Sequence, residues 1–170
     1  MTTEEEYTET FKSLLPKSDE SLTPEKMTEI LMRHELFEFD EDLDGVLTTL
    51  VDVPVYELHP QGYRISGMDA VRVLYERTLP VFVQFDYRRK AVDTRDITCI
   101  AFSDNQLVAE LNDEFEFPDG TRKRVYLMVI AEFSGDALVG ERLYLDHKLA
   151  GLYEDALGPD FFARPDVTKL

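Results

Sequence analysis

Leu107–Asp146 reads LVAELNDEFEFPDGTRKRVYLMVIAEFSGDALVGERLYLD, and this stretch decides the fold. Its apolar residues do not recur at helical spacing. They come in runs rich in Val, Leu, Ile, Phe and Tyr, separated by Pro118-Asp119-Gly120 and Ser134-Gly135-Asp136, which are turn formers. The reading is three strands, Leu107 to Phe117, Arg122 to Phe133 and Ala137 to Asp146. Turns this short join antiparallel neighbours. In the first strand, alternation puts Glu110, Asn112 and Glu114 on one face and Leu111, Asp113, Phe115 and Phe117 on the other.

Upstream, Ser103-Asp104-Asn105 is another turn, with Asp96 to Phe102 and Gln84 to Val92 as earlier strands. Before Val83 the pattern is different. Thr23-Pro24-Glu25 supplies an N-cap, a proline at the first helical position and a first-turn acid, and Met27, Ile30, Leu31, His34 and Phe37 or Glu38 follow at helical spacing. Asp42 caps a second, short helix carrying Val46, Leu47 and Leu50. Val53 to Pro60 and Tyr63 to Ile65 read as a hairpin about Gln61-Gly62. Met68 to Phe82 is a third helix, on Ala70, Val71, Val73, Leu74, Leu79 and Phe82, which Pro80 is expected to end or kink. Downstream, His147 to Ala156 is a last helical piece stopped by Gly158-Pro159, with Asp146 as its cap. Helices first and a meandering sheet afterwards is an α+β order, with the helices on one face of the sheet. The expected organisation is an acidic arm over residues 1–22, one domain over 23–157 and an irregular tail over 158–170.

The bulk properties limit the function classes. A chain of 170 residues holds one domain, which buries roughly 70% of its unfolded surface. The formal charge of −17, from 35 acids against 18 bases, repels phosphate and anionic lipid, so neither nucleic acid nor membrane is an expected partner. The one cysteine, Cys99, has no disulfide partner and lies in the apolar run Ile97 to Phe102, so a buried structural thiol in a reducing cytoplasmic setting is expected. No apolar run approaches the ~20 residues of a membrane helix. The sequence has no glycine-rich phosphate loop, GxSxG elbow, HExxH or paired CxxC, and His34, His59 and His147 fall in three different elements. Neither a cofactor nor a metal is expected.

The ordered strings RHELFEFDEDLDG (33–45), VYELHP (55–60), GMDAV (67–71) and GERLYLD (140–146) resemble the SnoaL-like and ketosteroid-isomerase-like families of the nuclear-transport-factor-2-like superfamily. The resemblance covers roughly residues 24 to 157. It implies a cystatin-like α+β barrel, a cone-shaped curved antiparallel sheet wrapped around three N-terminal helices. It also implies homodimers paired through the sheet and a pocket for a small apolar molecule, with or without catalysis. In ketosteroid isomerases a tyrosine of the first helix donates to the substrate oxyanion, and His34 stands at that position. The general base of those enzymes falls on Leu58 and its protonated aspartate partner on about Val129, neither of which carries a proton. Limonene epoxide hydrolase gives a second template, whose water-holding positions read Tyr56, Leu58, Glu110, Asn112 and Leu143; Tyr56 is retained and the Asp-Arg-Asp relay is not.

The enzyme reading makes Glu110 the base, with His34 and Tyr56 as donors to developing oxygen charge. Asn112, Leu58, Val129, Glu141 and Leu143 then line the ligand. Alternation alone sends Glu110 and Asn112 to solvent, the template turns them inward, and a bulge would reconcile the two. His34 on an apolar stripe is equally a satisfied core histidine, and Tyr56 equally a wall. The competing reading is a non-catalytic ligand-binding protein or homodimeric scaffold, because Leu58, Val129 and Leu143 stand where relatives carry catalytic groups.

Overall fold

A computed structural model describes residues 22–85, 96–116 and 120–170. Thr23 Oγ1 accepts a hydrogen bond from the Lys26 amide at 3.2 Å, and Pro24 opens α1 (Pro24–Phe39). Met27, Ile30 and His34 form its buried stripe. Asp42 accepts from the Gly45 amide at 2.9 Å and starts α2 (Leu43–Thr48). Gly45 lies so close to Phe37 and to the Asp42 carboxylate that a Cβ there has no room, which brings the two helices together. The chain then forms the hairpin β1 (Val55–His59) and β2 (Tyr63–Ser66), followed by α3 (Met68–Phe85).

Pro80 does not end α3, which runs on to Phe85. Ala70, Val71, Leu74, Tyr75, Thr78 and Leu79 are all buried along it, and burying a stripe that long outweighs the one backbone hydrogen bond the proline forgoes. Gln84 is therefore helical, contrary to the strand expected from there, and the remainder of that strand lies outside the described residues. So do the arm before residue 22 and the turn residues 117–119.

Three hairpins follow, from β3 (Asp96–Phe102), β4 (Gln106–Glu116), β5 (Arg122–Ser134) and β6 (Ala137–Leu145). With a last strand β7 (Val167–Lys169), the sheet order is β3-β4-β5-β6-β1-β2-β7. It is an open, curved sheet, not a closed barrel, and it is mixed. The β1 strand pairs with β6 in parallel, through Glu57–Arg142, Leu58–Leu143 and His59–Tyr144, while the other neighbours are antiparallel.

Alternation along the strands separates two faces. Leu107, Ala109, Leu111, Val125, Ala131, Phe133, Leu143, Leu145, Tyr56 and Leu58 point inward and are buried. Over them lie α1, on β4 and β6, and α3, on β2. On the other face stand Glu110, Asn112, Tyr126, Ile130, Arg142 and Tyr144. A bulge in β5–β6 places Val139 as an extra residue opposite Glu132 and Phe133, so that Leu138 before it and Glu141 after it both reach the interior. Gly140 makes the bulge feasible: its φ is +150°, and a Cβ there would overlap the Val55 carbonyl of the neighbouring strand.

The tail is not irregular. Asp146 accepts from the Lys148 and Leu149 amides at 2.8 and 3.0 Å, capping α4 (His147–Phe162). This helix kinks at Gly158, φ +71°, and continues. Leu157 and Phe161 are fully buried, Arg77 of α3 bonds both the Leu157 carbonyl and Asp160, and β7 (Val167–Lys169) adds the last strand against β2. The aromatic tail is thus part of the core, which explains why Gly158-Pro159 bends the helix without ending it. Cys99 is exposed rather than buried, because β3 is an edge strand with one neighbour and carries the thiol on the outer face opposite Glu110.

Candidate functional site

The interior holds a cluster of hydrogen-bonding side chains drawn from five elements or their caps. His34 of α1 has no exposed surface. Its Nδ1 lies 2.6 Å from the hydroxyl of Thr49, the residue that caps α2, and its Nε2 lies 2.8 Å from the hydroxyl of Tyr75 on α3. Tyr75 is in turn 2.9 Å from the hydroxyl of Tyr56 on β1. The rings meet edge to face, with centroids 5.7 Å apart for both His34–Tyr75 and Tyr56–Tyr75. Glu38, one turn beyond His34, brings a carboxylate oxygen to 3.2 Å from Nε2 and keeps 22% of its side chain exposed. Glu141 of β6, 9% exposed, adds a second carboxylate on the interior side of the bulge.

The bonding pattern fixes one proton and leaves one to move. Thr49 donates to the Val46 carbonyl at 2.5 Å, so its oxygen accepts from Nδ1–H. Nε2 then faces Tyr75 and Glu38. Protonated, it donates to Glu38, and Tyr75 donates onward to Tyr56. Neutral, it accepts from Tyr75, which accepts from Tyr56. A single proton at Nε2 therefore sets the direction of the Tyr56–Tyr75–His34 chain. Burial pulls the His34 pKa down, but the hydrogen bond and charge of Glu38, with the charges of Glu141 and Glu35, pull it up by more, and it lies above its ordinary value. Burial, reinforced by the Glu141 charge, drives Tyr56 well above the usual tyrosine range, and burial with its Tyr56 neighbour does the same for Tyr75. Both phenols stay neutral donors.

Of the residues singled out in the sequence, His34 and Tyr56 are brought together here, but through Tyr75 and not directly. Glu110 is not with them. It stands exposed on the outer face of β4, in register with Cys99 and Met128, because no bulge interrupts β4 between Leu107 and Leu111 to turn it round. Asn112 is on that outer face too, opposite Tyr126. Leu58, Val129 and Leu143 point inward as part of the apolar core, and Glu141 reaches the same side through the bulge. His59 lies on the outer face, stacked on Tyr144 at 4.4 Å and 3.3 Å from Glu57.

Glu38, Thr49 and Tyr75 complete the cluster; Glu38 was read only as an alternative stripe position of the first helix, and Thr49 and Tyr75 were not singled out. Glu38 is four residues from His34 and Tyr75 four from Val71, so helical spacing puts each on a core stripe. A polar residue on such a stripe was the available signal. Among the described residues no group of three or more His, Cys, Asp or Glu side chains could hold a metal ion, and no described helix is long and apolar enough to cross a membrane.

The sequence matches no known family model and no curated protein. Solved structures do match. A Silicibacter pomeroyi protein described as having a cystatin-like fold superposes with a TM-score of 0.59 at 11% identity, over 82% of this chain and 94% of its own. A protein from Cytophaga hutchinsonii, described as nuclear-transport-factor-2-like and of unknown function, does so with a TM-score of 0.53 at 15% identity, over 70% and 98%. This chain has the nuclear-transport-factor-2-like fold. SalBIII, an epoxide hydrolase/cyclase-like enzyme of pyran ring formation in the polyether salinomycin, shares that cone with a TM-score of 0.57 at 12% identity, over 73% of this chain and 93% of its own. In this nuclear-transport-factor-2-like fold the polar cluster is contributed by α1, the cap of α2, α3, β1 and β6.

Proposed function

We propose that the chain binds a small, largely apolar molecule bearing a carbonyl or hydroxyl oxygen inside the cone, and that the cluster serves it with acid/base groups of the isomerase, cyclase or dehydratase kind. The observation that carries this is the Glu38–His34–Tyr75–Tyr56 chain, a proton path from a partly exposed carboxylate to a fully buried phenol in a mostly apolar interior. Tyr56 and Tyr75, held neutral, donate to the ligand oxygen; His34 relays the proton; Glu141 is the buried carboxylate within electrostatic reach of both phenols. Glu110, on the far side of the sheet, has no part in it. The ring-closing chemistry of SalBIII is that protein's own; the common fold supports a pocket of this kind.

The test is turnover and binding with a panel of small cyclic ketones and alcohols. Tyr75→Phe is expected to weaken binding about tenfold, the loss of one buried hydrogen bond to the ligand. Glu141→Gln is expected to stop turnover while binding persists. Binding that ignores Tyr75→Phe would refute the site.

A second reading, a non-catalytic binding protein or scaffold, is favoured by the cluster's satisfying itself, since both His34 nitrogens and both phenols have partners within it. It predicts binding without turnover and no special effect of Glu141→Gln. In either reading we propose a reducing cytoplasmic setting and a homodimer paired through the outer face, where Tyr126 is 55% and Tyr144 36% exposed. Light scattering on wild type and on Tyr126→Lys checks the pairing.

A further inference from the structure

The bulge that turns Glu141 inward also hollows the opposite side of the sheet. Gly140 has no side chain to stand there, and a cavity of about 290 Å³ opens on the outer face between β1, β5 and β6. That is close to the lower end of ligand pockets, ~300 Å³. Val55, Val139 and Ile130 give it apolar walls.

Its charges are unevenly committed. Glu57 accepts from Arg64 Nε at 3.0 Å and Nη2 at 2.6 Å, and His59 approaches its other oxygen, so that pair is closed on itself. The Arg142 side chain, only partly exposed, has no hydrogen-bond or ion-pair partner among the described residues. Glu132 has only a long contact, 3.4 Å from the side-chain amide of Gln106. Arg142 is in register with Ile130 and Glu132 with Gly140, which makes the two diagonal neighbours facing one hollow without an ion pair between them. A guanidinium carries five donors in a fixed fork, and a partly buried one is stabilised by a carboxylate that it grips with two of them.

We propose that this cavity binds a small zwitterion of the α-amino-acid type, its carboxylate on Arg142, its ammonium on Glu132 and a short aliphatic chain against Val55, Val139 and Ile130. The lining itself selects both charges. Among the side chains on this face, Glu57 and Arg64 are closed on each other, which leaves Glu132 and Arg142; a simple anion brings its charge toward Glu132 and a simple amine brings its charge toward Arg142. A zwitterion neutralises the two uncommitted groups together. The site is on the opposite face of the sheet from His34, Tyr56 and Tyr75, so it stands or falls independently of the function proposed for the interior.

Calorimetric titration with free leucine, with 4-methylpentanoate, which lacks the amine, and with 3-methylbutylamine, which lacks the carboxylate, reads the proposal directly. Leucine is expected to bind at millimolar concentration or below. The two single-charge analogues, and leucine against Arg142→Gln or Glu132→Gln, are expected to bind at least about tenfold more weakly, the loss of one charge-assisted contact. Both variants change partly exposed side chains, and a matching thermal midpoint verifies that they fold. No binding of leucine to the wild type, equal binding of 4-methylpentanoate, or binding of leucine unchanged in Arg142→Gln would overturn it.

Discussion

His34 is held from four sides, by Thr49, Tyr75, Glu38 and its own helix, and a buried group so held is costly to remove. His34→Ala leaves the Thr49 and Tyr75 hydroxyls short of a partner in a closed interior, and a loss of about 3 kcal/mol in urea unfolding is expected. The titration of the same ring gives a second prediction. Its folded pKa is raised, so the folded state binds the proton more tightly than the unfolded chain does. Its stabilisation is full below the unfolded value of about 6.5 and is lost as pH rises through the raised value. Wild type is therefore expected to lose stability across that window relative to His34→Gln, which does not titrate, with denaturant midpoints measured at each pH. A stability difference independent of pH there would show that His34 does not gain a proton on folding.

At the scale of elements, the bulge at Val139–Gly140 does the most. It sets which residues of β6 face inward, lets β1 lie parallel beside it, and makes room on the outer face. Gly140→Ala forces a Cβ onto the Val55 carbonyl at a backbone angle that side chains rarely adopt. About 3 kcal/mol of destabilisation is expected, with loss of amide protection concentrated in β1 and β6 by hydrogen exchange. The cap of α4 is a smaller effect. Asp146→Ala removes the acceptor of three amides, those of Lys148, Leu149 and, at 3.3 Å, Tyr126, and is expected to lower stability by about 1 kcal/mol in the same unfolding assay.

Across the whole molecule, most of the fold was legible because it rests on periodicity and turns. Thr23-Pro24, Asp42 and Asp146 mark helix starts by chemistry that acts within four residues, and the short turns from Ser103 to Asp136 specify hairpins on their own. What depends on distant parts of the chain was less legible. The parallel β1–β6 pair joins strands some eighty residues apart, and no local feature of VYELHP announces it. Arg77, far from Gly158 in sequence, holds the kinked helix that makes the tail part of the core. The site divides the same way. His34 and Tyr56 were readable from stripe and alternation, and Glu141 depended on a bulge whose sign was a single glycine. Glu110 followed its alternation to the outer face, as a strand residue does when nothing interrupts the pleat. The polar members on helices, Glu38 and Tyr75, were missed because helical spacing shows that a residue faces the core and not what it meets there.

The most direct test of the interior site is a crystal structure of the protein soaked with the tightest-binding ketone or alcohol of the panel. The account predicts density inside the cone with an oxygen within hydrogen-bond distance of the Tyr56 or Tyr75 hydroxyl. A ligand seated elsewhere, with the His34–Tyr75–Tyr56 chain still closed on itself, would contradict it and leave the cluster as a purely structural network.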